Sequence, residues 1–362
     1  MEKSLPGQLN NLLRATSRSF YLTLRVLPAR VRSQIGLAYL LARTTDTIAD
    51  TEIVPPAQRL DALQKLREGI LGQNSAPLNF GELAQKQNLS AEKLLLEKVG
   101  DGLSALQNFS PEDQKLIREV LDTITSGQEL DLKRFESGRA GNPLPAAERR
   151  ARSDAPYQKI IALETAAELD DYTYRVAGCV GEFWTKICRA HLFPKAKIDD
   201  ARLIADGNRF GKGLQLVNIL RDLPKDLRNG RCYPPMEKLI EAGLTPEDLL
   251  QPANEGKFRP LYNQYLDLAE SHLRAGWDYT NSLPLPQFRV RLACAWPVLI
   301  GAKTISRLRD GNILDPQQRI KISRDEVRGI LLRSVLLYPF PRAWRKLFVA
   351  SGKAVASGAN LT

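Results

Sequence analysis

The sequence predicts an all-α protein, and three observations support this class. Apolar residues recur at three- and four-residue steps over long segments, as on one face of a helix. Strand-like alternation flanked by hairpin turns is scarce. The 362 residues show no fixed-period repeat and no linker that would divide two domains. We therefore expect a single domain over residues 1–362.

The elements follow in chain order. The first long helix is predicted over 31–50, where Ile35, Tyr39 and Ala42 keep the helical spacing. The same spacing predicts helices within four further segments, 91–109, 111–135, 160–193 and 201–223. Residues 136–156 interrupt this pattern with glycines, prolines and arginines, and we expect a mobile loop or lid there. The tail from about residue 345 is rich in small residues and is expected to fray.

Charge is concentrated near the C-terminus. The net charge is +11, and residues 289–353 hold 14 basic and four acidic side chains, or 14 − 4 = +10. Such a surface favours an anionic partner, although a solvated basic surface is an equal alternative. The sequence has no RRM-like or zinc-finger signature, so we predict no nucleic-acid binding.

Cysteine and hydropathy patterns restrict the class of protein further. The four cysteines are far apart and there are only two histidines, which makes a zinc site improbable and is typical of a reducing cytoplasm. We see no signal peptide and no apolar run long enough to span a bilayer. The apolar stretch 329–340 contains Arg333, so it is suited to lying on a membrane but not to crossing one. We predict a cytoplasmic protein and leave peripheral membrane contact open.

Two pairs of aspartates carry the chemistry. Asp46 and Asp50 are four residues apart in an apolar helix, and Asp222 and Asp226 repeat that spacing. Residues four apart share a helix face, so each pair can present two carboxylates to one target. Neighbouring carboxylates repel, and Mg²⁺ relieves that repulsion with carboxylate, water and phosphate oxygens. A lone pair of this kind arises by chance on solvated helices, but two pairs flanked by arginine indicate a function.

Arginine suits phosphate because its planar fork bonds two oxygens. Arg43 precedes the first pair, whereas Arg221 and Arg231 flank the second. Acids for a metal and arginines for phosphate together predict a diphosphate site. Gln215 and Asn218 share the helix face of Asp222 and are candidate neutral ligands. Pro224 disfavours helix at Leu223, so the helix is expected to kink or end there.

Three ordered segments resemble the squalene/phytoene synthase family. They are "SRSF" (17–20) with "AYLLARTTDTIAD" (38–50), "DDYTYRVAGCVG" (170–181), and "LQLVNILRDLPKDLRNGRCYPP" (214–235). The resemblance covers most of the chain and implies an isoprenoid synthase fold, a helical bundle around a central cavity. The sequence of the third segment is most similar to that of bacterial squalene synthases.

The resemblance also implies roles for individual residues. Asp46, Asp50, Asp222 and Asp226 would hold Mg²⁺, or Mn²⁺, against two prenyl diphosphates, with Asn218 as a further ligand. Tyr172 matches the tyrosine that transfers a proton in the first half-reaction. The positions implied to bind diphosphate are Arg43, Arg221, Arg231, Gln215 and Asn218, and more loosely Ser17, Arg18, Ser19 and Phe20.

The implied reaction joins two farnesyl diphosphates head to head through presqualene diphosphate. NADPH, or NADH, then reduces the product to squalene, and Lys321, Asn218 and Arg221 are the implied cofactor contacts. Lys225 stands where many members have an acid, and Ser323 where arginine is common. Phytoene or dehydrosqualene synthesis without NADPH stays open, as does a non-catalytic scaffold protein that kept the fold. The sequence does not fix the oligomeric state.

Overall fold

The structure is a computed structural model that describes residues 5–17, 20–51, 53–74, 76–136, 159–315, 317–318 and 320–352. Its chain divides into two compact units. Unit 1 comprises Met1–Asp154 with Tyr174–Ile204, and unit 2 comprises Ala155–Thr173 with Ala205–Thr362. The loop predicted over 136–156 falls outside the described residues except for Glu136, which ends a helix.

The first eight helices belong to unit 1. They are α1 (Gly7–Thr16), α2 (Phe20–Val26), α3 (Ala29–Ala49), α4 (Pro56–Leu71), α5 (Gly81–Gln85), α6 (Ser90–Glu97), α7 (Val99–Leu106) and α8 (Pro111–Glu136). Helix α3 packs against α4, α6, α7 and α8. Leu37, Leu41 and Ile48 of α3 are almost fully buried. Burial of each such side chain stabilises the fold by about 1.5–3 kcal/mol.

The described residues from 159 to 241 form two short strands and four helices. They are β1 (Ile161–Ala162), α9 (Ala166–Thr173), α10 (Cys179–Leu192), α11 (Asp200–Arg228), β2 (Arg231–Cys232) and α12 (Met236–Glu241). A π-helical segment, Tyr174–Gly178, lies between α9 and α10. In unit 1, α8 approaches this segment so closely that a Cβ on Gly127 would lie 2.8 Å from the Cβ of Arg175. The position therefore requires glycine.

Unit 2 ends in four helices. They are α13 (Glu255–Ser282), α14 (Phe288–Asp310), α15 (Arg324–Leu337) and α16 (Pro341–Gly352), with 3₁₀ turns at Glu247–Leu250 and Pro252–Asn254 before them. Helix α14 packs against α13, α15 and α16. Trp344 of α16 stacks on Trp277 of α13 with ring centroids 5.2 Å apart, and its indole donates to Asn281. Aromatic packing of this kind adds about 0.5–1.5 kcal/mol beyond burial.

The fraying expected from residue 345 is wrong for the first part of the tail. Helix α16 continues to Gly352, and Leu347 and Phe348 are buried. Phe348 also stacks on Trp277 with centroids 6.3 Å apart. The small residues that suggested fraying begin at Ala350 within α16, and most of them lie in residues 353–362, outside the described part of the chain.

Candidate active site

The first aspartate pair lies at the C-terminal end of α3. Asp46 is in its last turn, and Asp50 is the C-cap, with its backbone N–H donating to the Asp46 carbonyl at 2.8 Å. The last turn of α3 contains no basic residue. Because the C-terminus of a helix carries partial negative charge, two carboxylates there repel both each other and the helix dipole. This end of α3 is therefore suited to a cation.

The pKa of Asp46 reflects this repulsion. Its side chain is half-exposed, with 47% of its surface accessible, and lies 3.8 Å from Arg43. Loss of solvation, followed by repulsion from Asp50, raises the pKa of Asp46 to about 6. Arg43 and a hydrogen bond from Gln128 act in the opposite direction but do not outweigh these effects. A bound cation would favour the ionised form and bring the pKa down again.

Gln128 is a site residue that the sequence analysis missed. Its side-chain amide on α8 donates to the Asp46 carboxylate, and its own Oε1 is buried without a hydrogen-bond partner among the described residues. An orphaned buried oxygen beside a carboxylate is a natural acceptor for a water molecule on a metal ion. The sequence offers one hint, because Gln128 and Asp131 interrupt the apolar stripe of α8, and the structure shows both to be buried.

Arg43 is positioned by two acids. Its guanidinium donates to Glu92 of α6 at 2.7 Å and lies 3.8 Å from Asp46. Burial tends to lower the Arg43 pKa, but Asp46 and Glu92 together outweigh burial and raise it. Glu92, which the sequence analysis did not single out, therefore orients this arginine beside the first pair.

A buried arginine supports the same helix end from behind. Arg59 of α4 is fully buried and donates from Nη1 to the carbonyl of Ala49 at 2.6 Å. The last carbonyls of a helix have no partner within the helix, so this bond satisfies one of them. It also places a positive charge at the negative end of α3. Arg59 thereby stabilises the backbone that carries Asp50.

The "SRSF" segment is only partly described. Ser17 is buried and its hydroxyl donates to the Leu13 carbonyl, which gives it a structural role at the end of α1. Phe20 is half-buried and stacks on Tyr39 of α3, one turn before Arg43, with centroids 4.8 Å apart. Arg18 and Ser19 lie outside the described residues.

The second aspartate pair lies on α11. Gln215, Asn218, Asp222 and Asp226 follow one another at three- and four-residue steps, so they share one face of this helix. Asn218 is exposed, and the other three are half-buried. This side of α11 therefore presents two carboxylates and two amides, the oxygen ligands that Mg²⁺ prefers in proteins.

The predicted kink or helix end at Pro224 is wrong as to the end, because α11 runs on to Arg228. Pro224 has no N–H, so the carbonyl of Leu220, four residues earlier, loses its usual partner. The hydroxyl of Tyr262 on α13 donates to that carbonyl at 3.1 Å, and Tyr262 is fully buried. This bond replaces the missing one, and Asp226 stays on the same helix as Asp222.

Arg221 neutralises Asp222 directly. Its Nε and Nη2 donate to the two carboxylate oxygens at 2.9 and 2.6 Å. The hydrogen bond to Asp222 is the main cause that raises the Arg221 pKa, and burial opposes it. The last turn of α11 also contains Lys225 and Arg228. The second pair is therefore partly compensated within its own segment.

The two short strands position Arg231 and Tyr233. Strands β1 and β2 pair in parallel, with Ile161 opposite Arg231 and Ala162 opposite Cys232. Beyond them, Tyr233 stacks on Tyr172 of α9 with centroids 5.0 Å apart, and their hydroxyls are 3.2 Å apart. Both rings are buried. The predicted proton-transfer residue thus has a hydroxyl partner that the sequence analysis missed, since only the short β1–β2 bridge brings it close.

The three implied cofactor residues lie in two segments of unit 2. Asn218 and Arg221 are on α11, and Lys321 is about a hundred residues later. Lys321 is exposed in the segment before α15, and no described residue forms an ion pair with it. Ser323, which stands where arginine is common, is the N-cap of α15 and forms a capping box with Glu326. The departure at Ser323 therefore has a structural cause, because the cap satisfies the first backbone donors of α15.

Metal-binding potential rests on pairs of carboxylates. Within the described ranges, no group of three or more His, Cys, Asp or Glu side chains is arranged to hold a metal ion. A closed protein site of the zinc type is thus not formed there. Mg²⁺ takes only one or two protein carboxylates and completes its shell with water and phosphate oxygens, so the two pairs fit it.

Comparison with known proteins gives a consistent result. A family model described as squalene/phytoene synthase matches residues 13–326. The chain is 29% identical over 264 residues to a bifunctional lycopene cyclase/phytoene synthase of Gibberella fujikuroi, covering 71% of this chain and 40% of that one. It is 26% identical over 330 residues to squalene synthase of Schizosaccharomyces pombe, covering 90% and 64% respectively. The chain spans about two fifths of the length of its bifunctional relatives.

Among solved structures, the complex of TcSQS with the ligand BPH1237 matches with a TM-score of 0.73 at 20% identity, covering 97% of this chain and 93% of that one. The similarity shows a shared fold, which is the isoprenoid synthase fold. The all-α prediction is confirmed. None of the helices in the described ranges combines the length and apolarity that crossing a bilayer requires.

Proposed function

The chain belongs to the squalene/phytoene synthase family, and from this premise we propose that it condenses two farnesyl diphosphates head to head and reduces the product to squalene with NADPH. The observation that carries the proposal is the end of α3. There Asp46 and Asp50 face the negative helix pole without a basic residue in the last turn, and the pKa of Asp46 is raised to about 6. Such a site gains stability from a cation.

Mg²⁺ would be held by Asp46 and Asp50, and by Asp222 and Asp226 with Asn218. When bound, it supplies positive charge that stabilises a departing diphosphate. Gln128 would keep Asp46 oriented and accept a hydrogen bond from a water molecule through its unpaired Oε1. Lys225, at the place of the family's extra acid, would add a positive charge beside the second pair rather than another ligand.

The arginines would bind the diphosphate oxygens themselves. Arg43 is already oriented by Glu92 beside the first pair, so its second amino group can turn to an anion at little entropic cost. Arg221 would exchange part of its bidentate contact with Asp222 for phosphate oxygens. Arg231 is held by the β1–β2 bridge after the second pair.

Tyr172 would move a proton in the first half-reaction. Carbon–carbon bond formation leaves a proton to be removed, and the buried Tyr172 hydroxyl would relay it by passing its own proton to an acceptor such as the released diphosphate. Tyr233 lies within hydrogen-bond distance of Tyr172, so it would orient the hydroxyl and stabilise charge that develops on it. Stacking fixes both rings in one geometry.

The reductive step would use Lys321, whose exposed ammonium is available for a cofactor phosphate. Asn218 and Arg221 were predicted as further cofactor contacts. The alternative, phytoene or dehydrosqualene synthesis without NADPH, is favoured by the identity to the bifunctional phytoene synthase relatives. Ser323 also supplies a cap where squalene synthases commonly supply a cation.

One experiment separates these functions. The purified chain is incubated with farnesyl diphosphate and Mg²⁺, with and without NADPH, and products are identified by mass. Squalene formed only with NADPH is the expected result. Dehydrosqualene in both reactions, or a C40 product from geranylgeranyl diphosphate alone, would move the assignment to the alternative. Absence of any condensation product under all of these conditions, or equal product formation by Asp46→Asn and the parent chain, would overturn the enzyme proposal.

A further inference from the structure

The outer side of the last described helices is apolar. Leu332, Val335 and Leu336 lie on one side of α15 because they are three and four residues apart. Their exposed fractions are 60%, 49% and 59%, and Phe340, just beyond the helix, is 60% exposed. Single exposed leucines are ordinary, but a contiguous group marks an interaction surface. These four residues are called the α15 apolar face.

Two neighbours extend this surface. The hydroxyl of Tyr338 donates to the carbonyl of Leu285 at 2.7 Å, and its ring meets Phe288 edge-on with centroids 6.3 Å apart. Both Leu285 and Phe288 are strongly exposed. Trp296 fixes α15 in place, since its indole donates to the buried Ser334 hydroxyl at 2.9 Å. The apolar face is therefore held on a rigid support.

After the first turn of α15, which contains Asp325 and Glu326, the charged side chains of α15 and α16 are all basic. Residues 327–352 contain five basic side chains, Arg328, Arg333, Arg342, Arg345 and Lys346, and no aspartate or glutamate. Arg328 pairs with Asp325 at 3.3 Å. For the other four, the described residues offer no acidic side chain within ion-pair distance. The charge of this surface therefore suits an anionic partner.

A groove beside this surface combines apolar and basic side chains. Between α15 and α16 lies a cavity of about 270 Å³. Its walls are apolar, with Leu299, Ile330, Leu337 and Leu347, and it also includes Arg333 and Lys346. An apolar slot with two cations matches the chemistry of an acyl chain attached to a phosphate.

We propose that α15 and α16 dock this protein on the surface of an anionic phospholipid bilayer. The α15 apolar face would enter the boundary between headgroups and acyl chains, while the basic side chains contact lipid phosphates. A second copy of this chain fits less well, because its like charges would face these five. Nucleic acid fits less well too, since its interfaces are polar and leave exposed leucines without a partner.

Flotation with lipid vesicles tests the proposal. The full chain is mixed with vesicles of phosphatidylcholine plus phosphatidylglycerol, and separately with phosphatidylcholine alone, at low and high salt. We expect binding to the anionic vesicles that weakens with salt. Leu336→Ser with Phe340→Ser should reduce the affinity roughly tenfold or more. Arg342→Gln with Lys346→Gln should reduce it about fivefold per charge.

Matched controls lie elsewhere on the surface. Ile240→Ser removes an exposed apolar side chain of α12, and Lys93→Gln with Lys115→Gln removes two exposed charges of unit 1. These variants should bind vesicles like the parent chain. Equal binding by all variants, equal binding to neutral vesicles, or self-association lost in the α15 variants without any vesicle binding would overturn the proposal. Binding to a nucleic-acid duplex in place of vesicles would overturn it as well.

This surface is independent of the aspartate pairs. Asp222→Asn should bind anionic vesicles like the parent chain even though we expect it to be inactive. Conversely, the α15 variants should keep their turnover of farnesyl diphosphate in detergent. Failure of vesicle binding therefore leaves the proposed reaction intact, and failure of the reaction leaves vesicle binding intact.

Discussion

The two aspartate pairs have the same spacing but different surroundings. At the end of α3, no basic residue shares the last turn, and Asp46 has a raised pKa. On α11, Arg221 holds both oxygens of Asp222, and Lys225 and Arg228 follow. Asp46 thus keeps a raised pKa despite the nearby Arg43 and Arg59, and a cation can relieve that repulsion, whereas Asp222 is already paired with Arg221. Identical sequence spacing therefore predicts shared geometry but not shared electrostatics.

The largest effect is expected from removing one carboxylate of each pair. Asp46→Asn and Asp222→Asn should each lower kcat by about a hundredfold or more, since each removes charge that would act on the leaving diphosphate. Steady-state kinetics with farnesyl diphosphate and Mg²⁺ measures this. Asp61→Asn, an exposed acid on α4, is the control and should be unaffected. If only one pair proves essential, the two segments do not share the chemistry.

Loss of the hydrogen bond between Tyr262 and α11 should lower the free energy of unfolding. Tyr262→Phe leaves the Leu220 carbonyl buried without its donor, which costs about 1–3 kcal/mol of unfolding free energy. Urea denaturation measures this cost, with Tyr265→Phe as a control at another buried tyrosine of α13. We also expect weaker Mg²⁺ binding, because Asp226 depends on the helix after Pro224. A Tyr262→Phe chain as stable as the control would contradict this account of α11.

Charge compensation can be tested by removing each arginine. Arg221→Gln frees Asp222 from its partner, so Mn²⁺ binding without diphosphate should tighten severalfold, while kcat/KM falls because a phosphate contact is lost. Arg43→Gln should change Mn²⁺ binding less, because Arg43 is closer to Glu92 than to Asp46. Electron paramagnetic resonance of Mn²⁺ gives both affinities. The reverse order would contradict the contrast drawn between the two pairs.

The smallest effect concerns pH. The folded-state pKa of Asp46 is about 6, above its ordinary value of 3.8, so between these values the folded chain binds a proton that the unfolded chain has released. Stability linked to this group is therefore present at low pH and lost as pH rises through about 6. Asp46→Asn should be more stable than the parent chain at pH 7, by less than about 1 kcal/mol because the group is half-exposed.

Thermal melts from pH 4 to pH 8 check this prediction. The advantage of Asp46→Asn should shrink towards pH 4 and vanish with Mg²⁺ and diphosphate present. Asp222→Asn should show no such gain, since it breaks the pair with Arg221. A uniform shift over the whole pH range would argue against an ionised, poorly solvated Asp46.

Sequence alone predicted what depends on local spacing. The all-α class, the helix ending near Asp50 and the common face of Gln215, Asn218 and Asp222 follow from helical periodicity. Prediction was wrong where a distant residue decides. The helix continues past Pro224 because the Tyr262 hydroxyl donates to the Leu220 carbonyl, which lies 42 residues earlier in the chain. Gln128 and Tyr233 were missed for the same reason, since they reach Asp46 and Tyr172 only in the folded chain.

The bond between Tyr262 and Leu220 links two positions thermodynamically. Once Pro224 is replaced by alanine, the restored N–H can serve the Leu220 carbonyl, and the phenol becomes dispensable. The double change Pro224→Ala with Tyr262→Phe should then cost less than the sum of the single changes. Natural variants of this chain should accordingly exchange the proline and the tyrosine together rather than one at a time.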